Sequence, residues 1–129
     1  MNTELAYLVA SAALTFVLVL IAVAGATFEV GLPRLAGNRE PAPDITGWAG
    51  RAQRAHSNML ENLVLFAILV LVAHAVGVST GATRLGAALY FWGRLAHAVL
   101  YIAGIPWLRT AAFGVSVVGL LLVFAALVQ

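Results

Sequence analysis

Residues 5–28 read LAYLVASAALTFVLVLIAVAGATF, with no charged side chain and no proline. As one helix, Leu5 to Phe28 is about 36 Å long at 1.5 Å per residue, enough to cross a hydrocarbon core of about 30 Å. The rest of the chain has the same character. Of 129 residues, 63% are hydrophobic and only 9% charged, with a mean hydropathy of +1.00. A soluble domain carries about 25% charged residues, so too few are present to cover a soluble surface. The composition implies an all-α membrane protein of one domain.

Other classes fall away on the same grounds. The net charge of +2 is weak and scattered, which excludes a nucleic-acid partner. Without cysteine there is no disulfide, no thiolate metal site and no cysteine nucleophile, and no metal is expected. Any thiol chemistry has to use a thiol brought by a substrate. Ala22-Val23-Ala24 has the small-residue pattern of a signal cleavage site. However, no positive charge precedes the run, and the run is too long for a signal core.

Four transmembrane helices are expected, over residues 5–28, 46–77, 83–103 and 107–128, with a loop over 29–47. Gly31, Pro33, Gly37, Pro41 and Pro43 break any helix in that loop. Thr46 is a good N-cap for the second span, and Gly104 and Pro106 end the third. The fourth is uncharged from Ala111 to Val128. Short connections make neighbouring spans antiparallel. Arg34, Arg39, Arg51, Arg54 and Arg109 fall on one side and only Arg84 on the other. The positive-inside rule therefore puts the long loop in the cytoplasm and both termini outside. The absence of lysine amid abundant alanine, valine and arginine suggests a bacterial inner membrane.

Two spans carry polar residues that hydrocarbon disfavours. On the second, Arg51, Arg54, Asn58, Glu61 and Asn62 share a stripe of about 100°, with His56 and His74 on another face. On the third, Tyr90, Arg94, His97 and Tyr101 form a straight seam. An arginine at mid-membrane costs about 2.5–3.5 kcal/mol on insertion scales, so a retained one is paired and usually functional. Depths match for a Glu61–Arg94 pair, with Asn58 meeting leftover donors. The plainer readings make Arg51 and Arg54 interfacial anchors, and Tyr90 and Tyr101 members of an aromatic belt. For Tyr90, nearer the outer face, the belt is the expected role.

The stretch from Arg51 to Phe66, with Arg54, Asn58 and Glu61 at its core, resembles the signature of the membrane-associated proteins in eicosanoid and glutathione metabolism (MAPEG). The stretch from Gly93 to Tyr101 is similar to the third-span segment of the family's prostaglandin synthase branch, and Arg109-Thr110 falls where the family has arginine and a small or hydroxylic residue. Length, spans and topology agree over nearly the whole chain.

The resemblance implies a homotrimer of four-helix bundles in contact with membrane lipids, binding glutathione between subunits near the cytoplasmic side. It implies that Arg54, Asn58, Glu61, Arg94 and Tyr101 hold glutathione as thiol co-substrate and that Arg109 stabilises its thiolate. Arg51, Asn62, His97, Thr110 and Arg34 are further candidates. Arginine forks suit the two carboxylates of glutathione, and a cation near sulfur lowers its pKa from about 8.5. Ser57 departs from the synthase branch, which has another arginine there, and Val64 replaces a frequent proline. The expected activity is a glutathione-dependent transferase or peroxidase acting on lipophilic small-molecule electrophiles. The second reading is a non-catalytic lipid-binding or scaffold trimer of the same fold.

Overall fold

A computed structural model describes all 129 residues. The order is α1 (Thr3–Val30), α2 (Leu32–Ala36), α3 (Gly47–Val76), α4 (Gly81–Ala103) and α5 (Pro106–Leu127). All but α2 are long and apolar enough to cross a membrane. The protein is thus a membrane four-helix bundle. Both termini lie at one end, here the terminal end, and the segment between α1 and α3 lies at the other, the loop end.

The helix limits follow from capping. Helix α1 outruns the expected 5–28 at both ends and takes in Glu4 and Glu29. Asn2 begins it by accepting the Leu5 N–H through its side chain, 2.9 Å. Gly31 ends it at a φ of 87°, which only glycine adopts without strain. The expected unbroken loop then contains the short helix α2, because Pro33 fits a first helical turn as well as it breaks a later one.

Thr46 holds the N-cap position of α3, but not as expected. Its side chain caps nothing. Instead its hydroxyl and its N–H both donate to the Glu29 carboxylate, at 2.6 and 2.9 Å. The acid brought by α1 therefore does the capping, and its charge favours the helix start. Helix α4 begins with a reciprocal Thr80–Thr83 capping box and ends at Gly104, whose φ is 82°.

Packing runs along two seams. On α1, Ser11, Thr15, Leu18, Ala22 and Gly25 are buried; on α3, Ala52, Met59, Phe66, Val70 and Ala73. These spacings of three, four and seven residues make the i, i+3, i+4, i+7 ridge of coiled-coil-like packing. The α4–α5 seam is closer. A Cβ on Gly86 would lie 2.7 Å from Gly119 O, and one on Gly119 would collide with Gly86 O. A Cβ on Gly93 would come as close to the Ser116 backbone N, at 2.8 Å. Lipid supplies no hydrophobic drive between helices, so such backbone approach is what holds the pair.

At the centre, Tyr90 is fully buried and stacks on Phe66, with ring centroids 4.0 Å apart. The belt role expected for Tyr90 is therefore wrong. Its face of α4 turns inward on the same stripe as Arg94, one turn along, so burying one buries the other.

Candidate functional site

The polar residues of α4 set the site. Arg94 is only 1% exposed. Its Nη2 donates to Asn58 Oδ1 on α3, 2.7 Å, while its Nε and Nη1 have no partner within the chain. The Glu61–Arg94 pair expected from the sequence is absent. Glu61 is exposed, lying about 60° further round α3 than Asn58, so the side chain presented to Arg94 is the amide. Asn62 Nδ2 donates back to Asn58 O, 2.8 Å, and weakly to its Oδ1, 3.4 Å. With Oδ1 committed to donors, the Asn58 Nδ2 is left to donate elsewhere.

One turn toward the loop end, His97 is 3% exposed, and its Nδ1 has no partner. Its ring lies edge-on to Tyr101 at 5.5 Å. Tyr101 in turn carries the Arg109 guanidinium over its face, 4.4 Å from the centroid. That contact steadies Arg109, and a stacked guanidinium keeps its in-plane N–H donors for another partner.

Between these groups lies a hollow of about 250 Å³, lined by Asn58, His97, Tyr101, Arg109, Thr110 and Phe113. Three helices contribute to it. Arg109 and Thr110 reach it because Pro106 starts α5 directly after the turn at Gly104. Five of the six lining residues are among the sequence candidates. Phe113 was missed, although it stands one turn beyond Arg109 on the same face of α5.

The other candidates lie elsewhere. Arg51 Nε donates to Ile102 O, 2.9 Å, and its guanidinium packs over Gly104, so it caps the end of α4. Arg34 donates to Pro41 O within the loop and does not approach the hollow. Arg54 is exposed and borders a second, larger groove between α1, α2 and α3. The single stripe expected on the second span is thus divided. Arg51, Asn58 and Asn62 face α4, while Arg54 and Glu61 face outward. His56 lies in the wall of that second groove and His74 is exposed. No cluster of three or more potential metal ligands forms.

A family model described as the MAPEG family matches residues 5–129. The chain belongs to the MAPEG family. Among curated proteins and solved structures nothing matches it. Membership makes a glutathione-related membrane function the general expectation. The family holds both catalytic and non-catalytic members.

Proposed function

We propose that this MAPEG protein is a glutathione-dependent transferase or peroxidase for lipophilic electrophiles. The observation that carries the reading is the hollow at the loop end, where Asn58, His97, Tyr101, Arg109 and Thr110 converge from three helices. Glutathione is the proposed thiol co-substrate, and its two carboxylates need donors. Asn58 Nδ2 offers one, oriented by Arg94 from behind. Tyr101 and Thr110 offer hydroxyls, and the unpartnered His97 Nδ1 is a further contact.

Arg109 is the proposed catalytic residue. A guanidinium held beside the sulfur stabilises the thiolate, the nucleophilic form. In conjugation the thiol proton leaves to water and the sulfur forms a C–S bond to the electrophile. The leaving group departs with its electron pair. A hydrophobic electrophile arrives laterally from the bilayer.

Arg54 and Glu61 enter through assembly. Both are charged and exposed on α3 within one subunit. Left in lipid, each costs several kcal/mol, about 2.5–3.5 on insertion scales for most charged types. In the proposed homotrimer, this face of α3 turns to a neighbouring subunit, and both residues complete the glutathione site from the interface. We assign the loop end to the cytoplasm on the arginine distribution, and the protein to a bacterial inner membrane on its lysine-free composition.

Titrating glutathione into the detergent-purified protein while following thiolate absorbance tests the proposal. Saturable binding with thiolate formation supports it. Binding without thiolate, or none, selects instead the non-catalytic lipid-binding or scaffold reading.

A further inference from the structure

Helices α1 and α4 both start at the terminal end and pack together running in the same direction. Glu4 sets their register, its carboxylate accepting from Thr83 at 3.4 Å. Seven steps further along each helix stand Ser11 and Tyr90. Thr15 and Arg94 follow after four more, and Leu18 and His97 after another three. Steps of seven, four and three return to nearly the same face of a helix, so the two series match in face and depth, pair by pair. All eight residues are buried.

These faces collect every buried side-chain atom without a partner: Ser11 Oγ, the Tyr90 hydroxyl, Arg94 Nε and Nη1, and His97 Nδ1. Ser11 and Tyr90 stand about 10 Å beyond Glu4 and Thr83, within the hydrocarbon depth, and their hydroxyls are not bonded to each other. Lipid offers them nothing, and buried polar atoms as a rule have a partner. Leu8 and Ala87, the pair between, are apolar members of the core and separate these groups from Glu4. Toward the loop end the series finishes at His97, in the wall of the hollow.

Water is the ligand that suits these groups in series. Arg94 only donates, whereas the serine and tyrosine hydroxyls both donate and accept. A water accepts from a guanidinium and donates onward to a hydroxyl, and two to four polar partners suffice to hold it. The α1 members of the series, Ser11 and Thr15, are short, as a molecule held between two helices requires. We propose that an internal water bridges Ser11 Oγ and the Tyr90 hydroxyl, and that the hydrated file continues to the guanidinium of Arg94. The file ends at Leu8 and Ala87. It solvates the charge of Arg94, whose one partner in the chain is the neutral Asn58, and it does not depend on what the hollow binds.

Two measurements test the site. Tyr90→Phe keeps the ring that stacks on Phe66 and removes only its hydroxyl, and Ser11→Ala removes only the other. An idle buried hydroxyl destabilises, so deleting one would raise the melting temperature in detergent. With the water in place each variant should instead melt a few degrees lower. Because one water serves both hydroxyls, the double variant should melt no lower than the less stable single variant. X-ray hydroxyl-radical labelling, read by mass spectrometry, detects the water itself, since radicals form from bound water. Tyr90 should be oxidised despite its burial, and several-fold less in Ser11→Ala. A rise in melting temperature in either single variant overturns the proposal, as do additive losses in the double variant or an unlabelled Tyr90. Exchanging chloride for gluconate should leave the melting temperature of wild type unchanged. A dependence on chloride also overturns the proposal and makes a small anion the occupant.

Discussion

The bundle buries one charged group toward each end, Glu4 and Arg94, and treats the two oppositely. At the terminal end, Glu4 is 1% exposed, and its carboxylate accepts from Ser79 Oγ at 2.9 Å and from Thr83 Oγ1 at 3.4 Å. Thr83 is bound in turn to Thr80, so the cluster closes on itself. Toward the loop end, Arg94 is buried to the same 1%, yet two of its nitrogens lack partners, as does Nδ1 of His97. Buried polar atoms are nearly always bonded, and an exception calls for a missing partner. A closed polar cluster holds helices together, whereas an open one is built to receive something.

The largest effect that can test this contrast is on turnover. Arg109→Ala should cut glutathione conjugation at least tenfold, and up to the hundredfold or more typical of a lost anion-stabilising donor. Glutathione affinity and thermal stability should barely change. Equal turnover in both proteins would remove the thiolate role. Glu4→Ala should do the reverse. Its loss should lower unfolding stability by about 1–2 kcal/mol, read by thermal denaturation in detergent, with glutathione titration unaffected.

Asn58→Asp sharpens the difference within one residue, by giving Arg94 the counter-charge it lacks. Stability should rise by about 1 kcal/mol while glutathione affinity, measured by calorimetry, falls as its carboxylates meet an acid. A variant that binds glutathione as tightly as wild type would show that the Asn58 amide is not part of the site. Arg51→Ala is the smallest change. Losing the contact to Ile102 O should cost about 0.3–1 kcal/mol, the usual worth of a cation at a helix C-terminus, with no change in turnover.

The spans were legible because lipid demands long uncharged runs, and nothing else in the chain competes with that signal. The α4 seam was legible for a related reason: polar groups at four-residue spacing in an apolar helix must share a face. The helix rotations were not legible. Asn58 and Glu61 differ by about 60° around α3, and only packing against α4 decides which one meets Arg94. Tyr90 was misplaced because depth along a span was read without its neighbour Phe66. Glu4 was read only as part of a leading segment without positive charge. Its hydroxyl partners, Ser79 before α4 and Thr83 in the first turn of α4, are 75 and 79 positions away, beyond any local pattern.

The two acids of α1 have a joint consequence. Glu4 holds the hydroxyls of Ser79 and Thr83 at the start of α4, and Glu29 holds the N–H and hydroxyl of Thr46 at the start of α3, so one helix anchors the starts of two others at its opposite ends. The 25 steps between them correspond to about 37 Å along the axis. That length exceeds a hydrocarbon core of about 30 Å and falls short of the 40–45 Å that includes both headgroup layers. Helix α1 is thereby a ruler for bilayer thickness, matched with little tilt when each carboxylate lies among headgroups. In a thinner membrane it must lean to keep them there, and the starts of α3 and α4, tied to its two ends, must shift with it.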